Sequence, residues 1–177
     1  MEKKAPGKAV WITGLPGSGK SAVSEALRKR IDGLVVLRMD DLRKIATPNP
    51  TYSEAERDVL YRSLCYAALL VSSLGHDVAV DATGNLRRWR ELARGLIPRY
   101  AEVYLKCPLE VCAEREMKRG EAWGAPRDIY KKAKEGWPVP GINAPYEEPL
   151  NPELVIDTER TGVEEAAELV EEILREK

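Results

Sequence analysis

The sequence predicts an α/β domain of three layers, a five-stranded parallel sheet with helices on both faces. Two observations predict it. Apolar runs of strand length alternate with helix-period stretches along the whole chain. The runs are continuously apolar, as in strands buried on both faces by crossover helices. At 177 residues the chain is long enough for one domain with a substantial core and too short for two full enzyme domains. It shows no internal repeat, low-complexity segment or linker.

Residues 9–13 form a short apolar run with β-branched members that stops at Gly14, and residues 21–31 carry Val23, Ala26, Leu27 and Ile31 at helical spacing. Residues 34–37 read as a second strand. Ser53 with Glu56 makes a capping box for a long helix reaching about Leu74, closed by Gly75 as a C-cap. Residues 77–81 predict a third strand, 87–96 a helix and 101–105 a fourth strand. Pro108 sits where the first turn of a helix tolerates proline, and that helix runs to about Lys118. Residues 128–135 are helical again. The segment 136–152 contains Pro138, Pro140, Pro145, Pro149 and Pro152 and predicts an irregular loop on the substrate side. Residues 154–156 supply the last strand, and Thr161 with Glu164 caps a final helix ending near Lys177. In such a sheet ligands bind at the carboxyl ends of the strands.

Composition narrows the function classes. The 28 Lys+Arg nearly cancel the 29 Asp+Glu, a net charge of −1, so the chain is not a strongly basic nucleic-acid binder and any anionic partner must be met by local clusters; nucleic acid is not expected but not excluded. Arg87, Arg88, Arg90 and Arg94 are the candidates for a local basic face, against the plainer reading of a solvated helix surface. No apolar run approaches the roughly 20 residues that span a bilayer, so a cytoplasmic protein is expected, without membrane partners. Cys65, Cys107 and Cys112 form no Cys-x-x-Cys pair and read as buried apolar residues.

Gly14, Leu15, Pro16, Gly17, Ser18, Gly19, Lys20 and Ser21 match G-x-x-x-x-G-K-[ST] between a predicted strand and helix. Glycines let successive backbone N–H groups turn toward phosphate oxygens, and the following helix aims the positive end of its dipole at the same anion. Lys20 is expected on the β- and γ-phosphates of ATP and Ser21 on Mg²⁺. The fold class is therefore the P-loop nucleoside-triphosphate fold, spanning residues 1–177 as a single domain; nucleotide binding alone leaves kinase, GTPase and motor open.

Phosphoryl transfer to an alcohol needs a carboxylate to accept the hydroxyl proton and cations to hold the acceptor in line. Asp40, following the second strand, fits the base, and Arg43, one helical turn on, fits the clamp. Asp41 is left to helix capping. Asp81, ending the third strand, reads either as a ligand of Mg²⁺ or its water, or as a turn-forming residue. Arg115 and Arg119 share one helix face, and the stretch after them ends in Arg127; residues 115–128 are expected to form a lid over ATP.

With these residues assembled, the chain resembles the adenylylsulfate kinases, P-loop enzymes that phosphorylate the ribose 3′-hydroxyl of adenosine 5′-phosphosulfate in sulfate assimilation. The resemblance is closest over 10–21, 108–112, 130–133, 141–147 and 151–158. It implies ATP and Mg²⁺ as cofactors and a small anionic acceptor, with Arg43, Tyr52, Arg57 and Ile142 at the substrate. The family's Asp-Gly-Asp-x-x-Arg becomes Arg38-Met39-Asp40-Asp41-Leu42-Arg43, losing the first acid. Its Phe-Ser becomes Tyr52-Ser53, keeping a ring for the adenine; Leu60 replaces an asparagine and Val139 a phenylalanine, leaving Trp137 to be re-aimed. The family serine is absent where Asp81-Ala82-Thr83-Gly84-Asn85 stands. Asp-Asp-x-Arg, Asp-x-Thr-Gly-Asn and Arg115-Glu116-Met117-Lys118-Arg119-Gly120 look more like the 5′-hydroxyl polynucleotide kinases and seryl-tRNA kinases. The alternatives are therefore a kinase of another hydroxyl and, from another class, a catalytically silent nucleotide-binding module. The amphipathic helices leave a homodimer open.

Overall fold

The computed structural model describes residues 5–118 and 128–176. Strands β1 (Ala9–Thr13), β2 (Val35–Arg38), β3 (Val78–Asp81), β4 (Tyr100–Lys106) and β5 (Leu154–Asp157) form one sheet in the order β2-β3-β1-β4-β5, every pair parallel. The helices are α1 (Lys20–Arg30), α2 (Met39–Ala46), α3 (Glu54–Ser73), α4 (Arg87–Leu96), α5 (Leu109–Lys118), α6 (Ile129–Lys134) and α7 (Val163–Arg175). No helix among the described residues is long and apolar enough to cross a membrane.

Central β1 explains the continuous apolar runs. Val10 and Ile12 pack with Val23 and Leu27 of α1 and Val170 of α7, whereas Ala9 and Trp11 pack with Leu60 and Leu64 of α3 and Trp89 of α4. Each fully buried Leu or Ile removes enough apolar surface to favour folding by about 1.5–3 kcal/mol. A smaller third cluster joins α5 and α6 through Cys112, Tyr130 and Val139.

Several sequence expectations are corrected in detail. β2 reaches Arg38, and Met39 opens α2 directly, so Asp41 lies in the first turn, 3.4 Å from Lys44, and caps nothing. The capping box of α3 is half formed. Ser53 Oγ accepts from the Glu56 N–H at 3.2 Å, but the Glu56 carboxylate accepts from the Thr51 and Tyr52 N–H groups rather than from Ser53. Gly162, not Thr161, caps α7, without a side-chain bond. Gly75 ends α3 as expected, at a left-handed φ of 84°.

The arginines of α4 form no basic face. Arg90 is 1% exposed, its Nε 2.7 Å from the equally buried Glu102 of β4, and it donates to the carbonyls of Gly84 and Glu147. Arg94 bridges Glu102 and Glu153, Arg87 faces Glu147, and Arg88 pairs with Glu54. Arg90 thereby fastens the loop after β3 and the irregular 136–152 loop to the sheet. Tyr146, whose hydroxyl lies 3.0 Å from Thr13 Oγ1, adds a second fastening.

Removing one member of a buried pair strands the other charge, which typically costs about 3–5 kcal/mol of the total stability. Glu102→Ala should lose that much in equilibrium denaturation. A loss below about 1 kcal/mol, the range of an exposed pair, would mean that Arg90 does not depend on Glu102.

Candidate active site

The glycine-rich loop leaves β1 at Gly14 and enters α1 at Lys20, as the motif requires. Gly17 and Gly19 adopt left-handed φ values of 86° and 101°, and a Cβ on Gly17 would stand 2.2 Å from the Cys112 carbonyl oxygen. From outside the loop, Tyr130 donates its hydroxyl proton to the Pro16 carbonyl at 2.6 Å. The Leu15 side chain turns to Gly141 and Leu109, so only its backbone serves the loop. Lys20 folds its ammonium over the Gly14 and Leu15 carbonyls at 3.0 and 2.9 Å, and Ser18 Oγ is buried without a hydrogen-bond partner. Burial pushes the thiols of Cys65 and Cys112 up to about 11 and about 12, in keeping with structural cysteines.

A cavity of about 560 Å³ opens over this loop and runs across the carboxyl edge of the sheet. On the β4–β5 side its wall includes Arg115, Thr158, Thr161 and Gly162. Arg115 donates to Thr158 through both its hydroxyl and its carbonyl, at 3.3 and 2.7 Å. Arg119 and Arg127, and with them most of the expected lid, lie outside the described residues.

On the β2–β3 side Asp40, Arg43, Tyr52, Arg57 and Asp81 line the same cavity, as expected. Arg43 pairs with Glu56 at 2.6 Å and lies 4.7 Å over the Tyr52 ring. Tyr52 adopts a left-handed φ of 55°, held by its N–H bond to Glu56, and its ring meets Trp137 with centroids 4.9 Å apart. Arg57 donates to the Pro138 carbonyl at 2.6 Å, and burial pushes its guanidinium below the usual value. Ile142 is the misplaced residue: it is half exposed and absent from this wall, where Val139 and Pro140 stand instead. The tight Gly141 turn carries it to the outside.

Tyr61, Asn85 and Thr158 also line the cavity and were not singled out from the sequence. Tyr61 lies one helical turn beyond Arg57, a spacing that could have found it. Its ring stacks on Trp89 at 4.1 Å, and its hydroxyl accepts from the Gly84 N–H at 3.0 Å. Thr158 directly follows β5, where the rule for strand ends would place a binding residue.

The implied Mg²⁺ can be tested on the donors present. Ser21 and Asp81 both line the cavity, and the buried Asp81 Oδ2 accepts no hydrogen bond among the described residues. Burial pushes the Asp81 carboxyl up, while Lys20, Ser21 and Arg38 act in the opposite sense. One hydroxyl and one carboxylate beside a phosphate loop suit a hard cation that takes its other ligands from phosphates and water. No cluster of three His, Cys, Asp or Glu side chains able to hold a metal occurs among the described residues. A site completed by nucleotide is compatible with both facts.

Comparison with known proteins follows the same lines. A family model described as adenylylsulphate kinase matches residues 6–157. A probable adenylyl-sulfate kinase of Halalkalibacterium halodurans is 37% identical over 91% of this chain and 79% of its own. Another from Archaeoglobus fulgidus is 36% identical over 85% and 96%. The structure of the Mycobacterium tuberculosis APS kinase in complex with AMPPNP and APS superposes with a TM-score of 0.84 at 33% identity, covering 97% of this chain and 99% of that one.

Gly17→Ala tests the loop. With the Cys112 backbone in the way, the loop must shift, and calorimetric titration should show ATP affinity reduced by more than about tenfold, the loss of one or two phosphate hydrogen bonds. Unchanged affinity would mean that the loop yields without cost.

Proposed function

The chain belongs to the adenylylsulfate kinase family, and we propose that it transfers the γ-phosphate of ATP to the 3′-hydroxyl of adenosine 5′-phosphosulfate. The observation that carries the proposal is the single cavity in which Lys20 and Ser21 lie between a nucleotide side and an acceptor side bearing Asp40, two arginines and two aromatic rings.

The parts divide the work as follows. The loop amides and the N-terminus of α1 hold the phosphates, and Lys20 leaves its two carbonyls for the β- and γ-oxygens. Arg115 and Arg119 attend the ATP. Asp40 accepts the proton of the acceptor hydroxyl as it attacks, and Arg43 and Arg57 hold the phosphosulfate anion. The adenine stacks on Tyr52 and on Trp137, which takes the place left by Val139; the two rings part to admit it. Ser21 and Asp81 would hold Mg²⁺, which would supply charge neutralisation on the transferring phosphates. The neutralised arginines of α4 argue against a long nucleic acid as acceptor.

Protein, Mg²⁺ and γ-labelled ATP should label adenylylsulfate and leave a 5′-hydroxyl oligonucleotide, seryl-tRNA and simple nucleosides unlabelled. Label on one of the latter, with adenylylsulfate inert, would replace the acceptor and keep the chemistry. Asp40→Ala should retain ATP binding and lose turnover by at least about 10²-fold, the range of general-base catalysis; unaltered turnover would remove Asp40 from the mechanism.

Trp137→Ala should raise the KM for adenylylsulfate about tenfold, within the roughly 1–3 kcal/mol of a base–aromatic stack, with little effect on the KM for ATP. An unchanged KM would place the base elsewhere.

A further inference from the structure

Arg38 stands where the adenylylsulfate-kinase pattern has an acid, and the proposed phosphoryl transfer assigns it no part. It ends β2 directly opposite Asp81, the last residue of β3, in the parallel register. Its Nε lies 3.5 Å from Asp81 Oδ2, an ion-pair distance too long for a hydrogen bond. The guanidinium is held there by Glu25 of α1, which accepts from it at 3.0 Å and also pairs with Arg28. Arg38 thus lends a positive charge to Asp81, a residue of the cavity wall whose buried Oδ2 accepts no hydrogen bond among the described residues.

Lys20 and Arg38 both bring positive charge to Asp81, Arg38 from the neighbouring strand through the 3.5 Å pair. When Lys20 turns to the phosphates of ATP, Arg38 remains. We infer that Arg38, braced by Glu25, is a positioning residue that orients the Asp81 side chain for the Mg²⁺ of the bound nucleotide. The acid missing from β2 is thereby supplied from β3, and the cation that supports it occupies the vacated place. This inference rests on the reading of Ser21 and Asp81 as the metal-holding pair and is independent of which acceptor is phosphorylated.

The test measures ATP binding by calorimetry with the full chain, with and without Mg²⁺ and with no acceptor present. The readout is the ratio of the two dissociation constants, the Mg²⁺ enhancement. Arg38→Met should lower that enhancement by about tenfold, as removal of a residue supporting a metal ligand does, with Mg²⁺-free ATP binding changed less than about threefold. Arg38→Lys, which keeps the charge, should retain most of the enhancement. Asp81→Asn should lose it, and the double variant Arg38→Met/Asp81→Asn should be no worse than the poorer single one.

An Arg38→Met protein that keeps the enhancement, or loses Mg²⁺-free binding in step with it, overturns the inference; the latter outcome assigns Arg38 a purely structural role. Additive losses in the double variant overturn it as well. If Arg38→Met does not fold, Arg38→Lys decides: loss of the enhancement in that variant would exclude a role through charge. Retention of the enhancement in Asp81→Asn would overturn the underlying metal reading, and this inference with it. A wrong acceptor would show only in the labelling assay.

Discussion

The parallel pairing of β1 with its two neighbours is the constraint on which the cavity depends. Ile12 stands opposite Asp81 and Val103, and Asp81 in turn opposite Arg38. The phosphate loop, the β3 carboxylate and the start of α2 are therefore set side by side by backbone hydrogen bonds, before any side chain of the site makes a contact. Because successive residues of a strand face opposite ways, a slip of one residue would turn Asp81 away from the loop and send Trp11 into the wrong helical layer. The two-sided burial of β1 makes such a slip expensive, and so precision at the polar edge is supplied by apolar packing beneath it.

Charge is distributed on this frame with few loose ends. Arg90 serves one carboxylate and two backbone carbonyls from a position with almost no solvent contact. A planar guanidinium with five donors can do this where an ammonium cannot. Arg43, Arg57, Arg94 and Arg115 are likewise engaged, to Glu56, Pro138, Glu153 and Thr158. These arginines are thus held by protein partners, and the cavity presents positive charge that is already oriented.

Much of this was legible in the residues alone. Five strands, the main helices and the phosphate loop follow from apolar period and from glycine and proline placement, since those signals act within a few residues. In the cavity wall, Asp40 and Arg43 followed from their place after the second strand, and Tyr52 and Arg57 from a motif carried over position by position. What escaped depends on partners distant in sequence. The burial of Arg90 needs Glu102 across the layer, and the Arg38–Asp81 pair needs the register between two strands. Ile142 was misplaced because a proline-rich loop has no period from which to tell its inner side from its outer one. The capping box was misjudged because the Glu56 carboxylate found Thr51 and Tyr52, two donors that the local pattern does not advertise.

The close approach of Cys112 to Gly17 has a mechanical consequence. The obstruction is a main-chain carbonyl, so its effect is set by the path of α5 rather than by the identity of residue 112. The helix that brings Arg115 to the cavity wall lies, one turn earlier at Cys112, against the backbone of the glycine-rich loop. Tyr130 presses on the same stretch through Pro16. Helix α5 and Tyr130 thus meet the same stretch of loop backbone, at Gly17 and at Pro16, so a change in the path of α5 would displace Arg115 and the loop together.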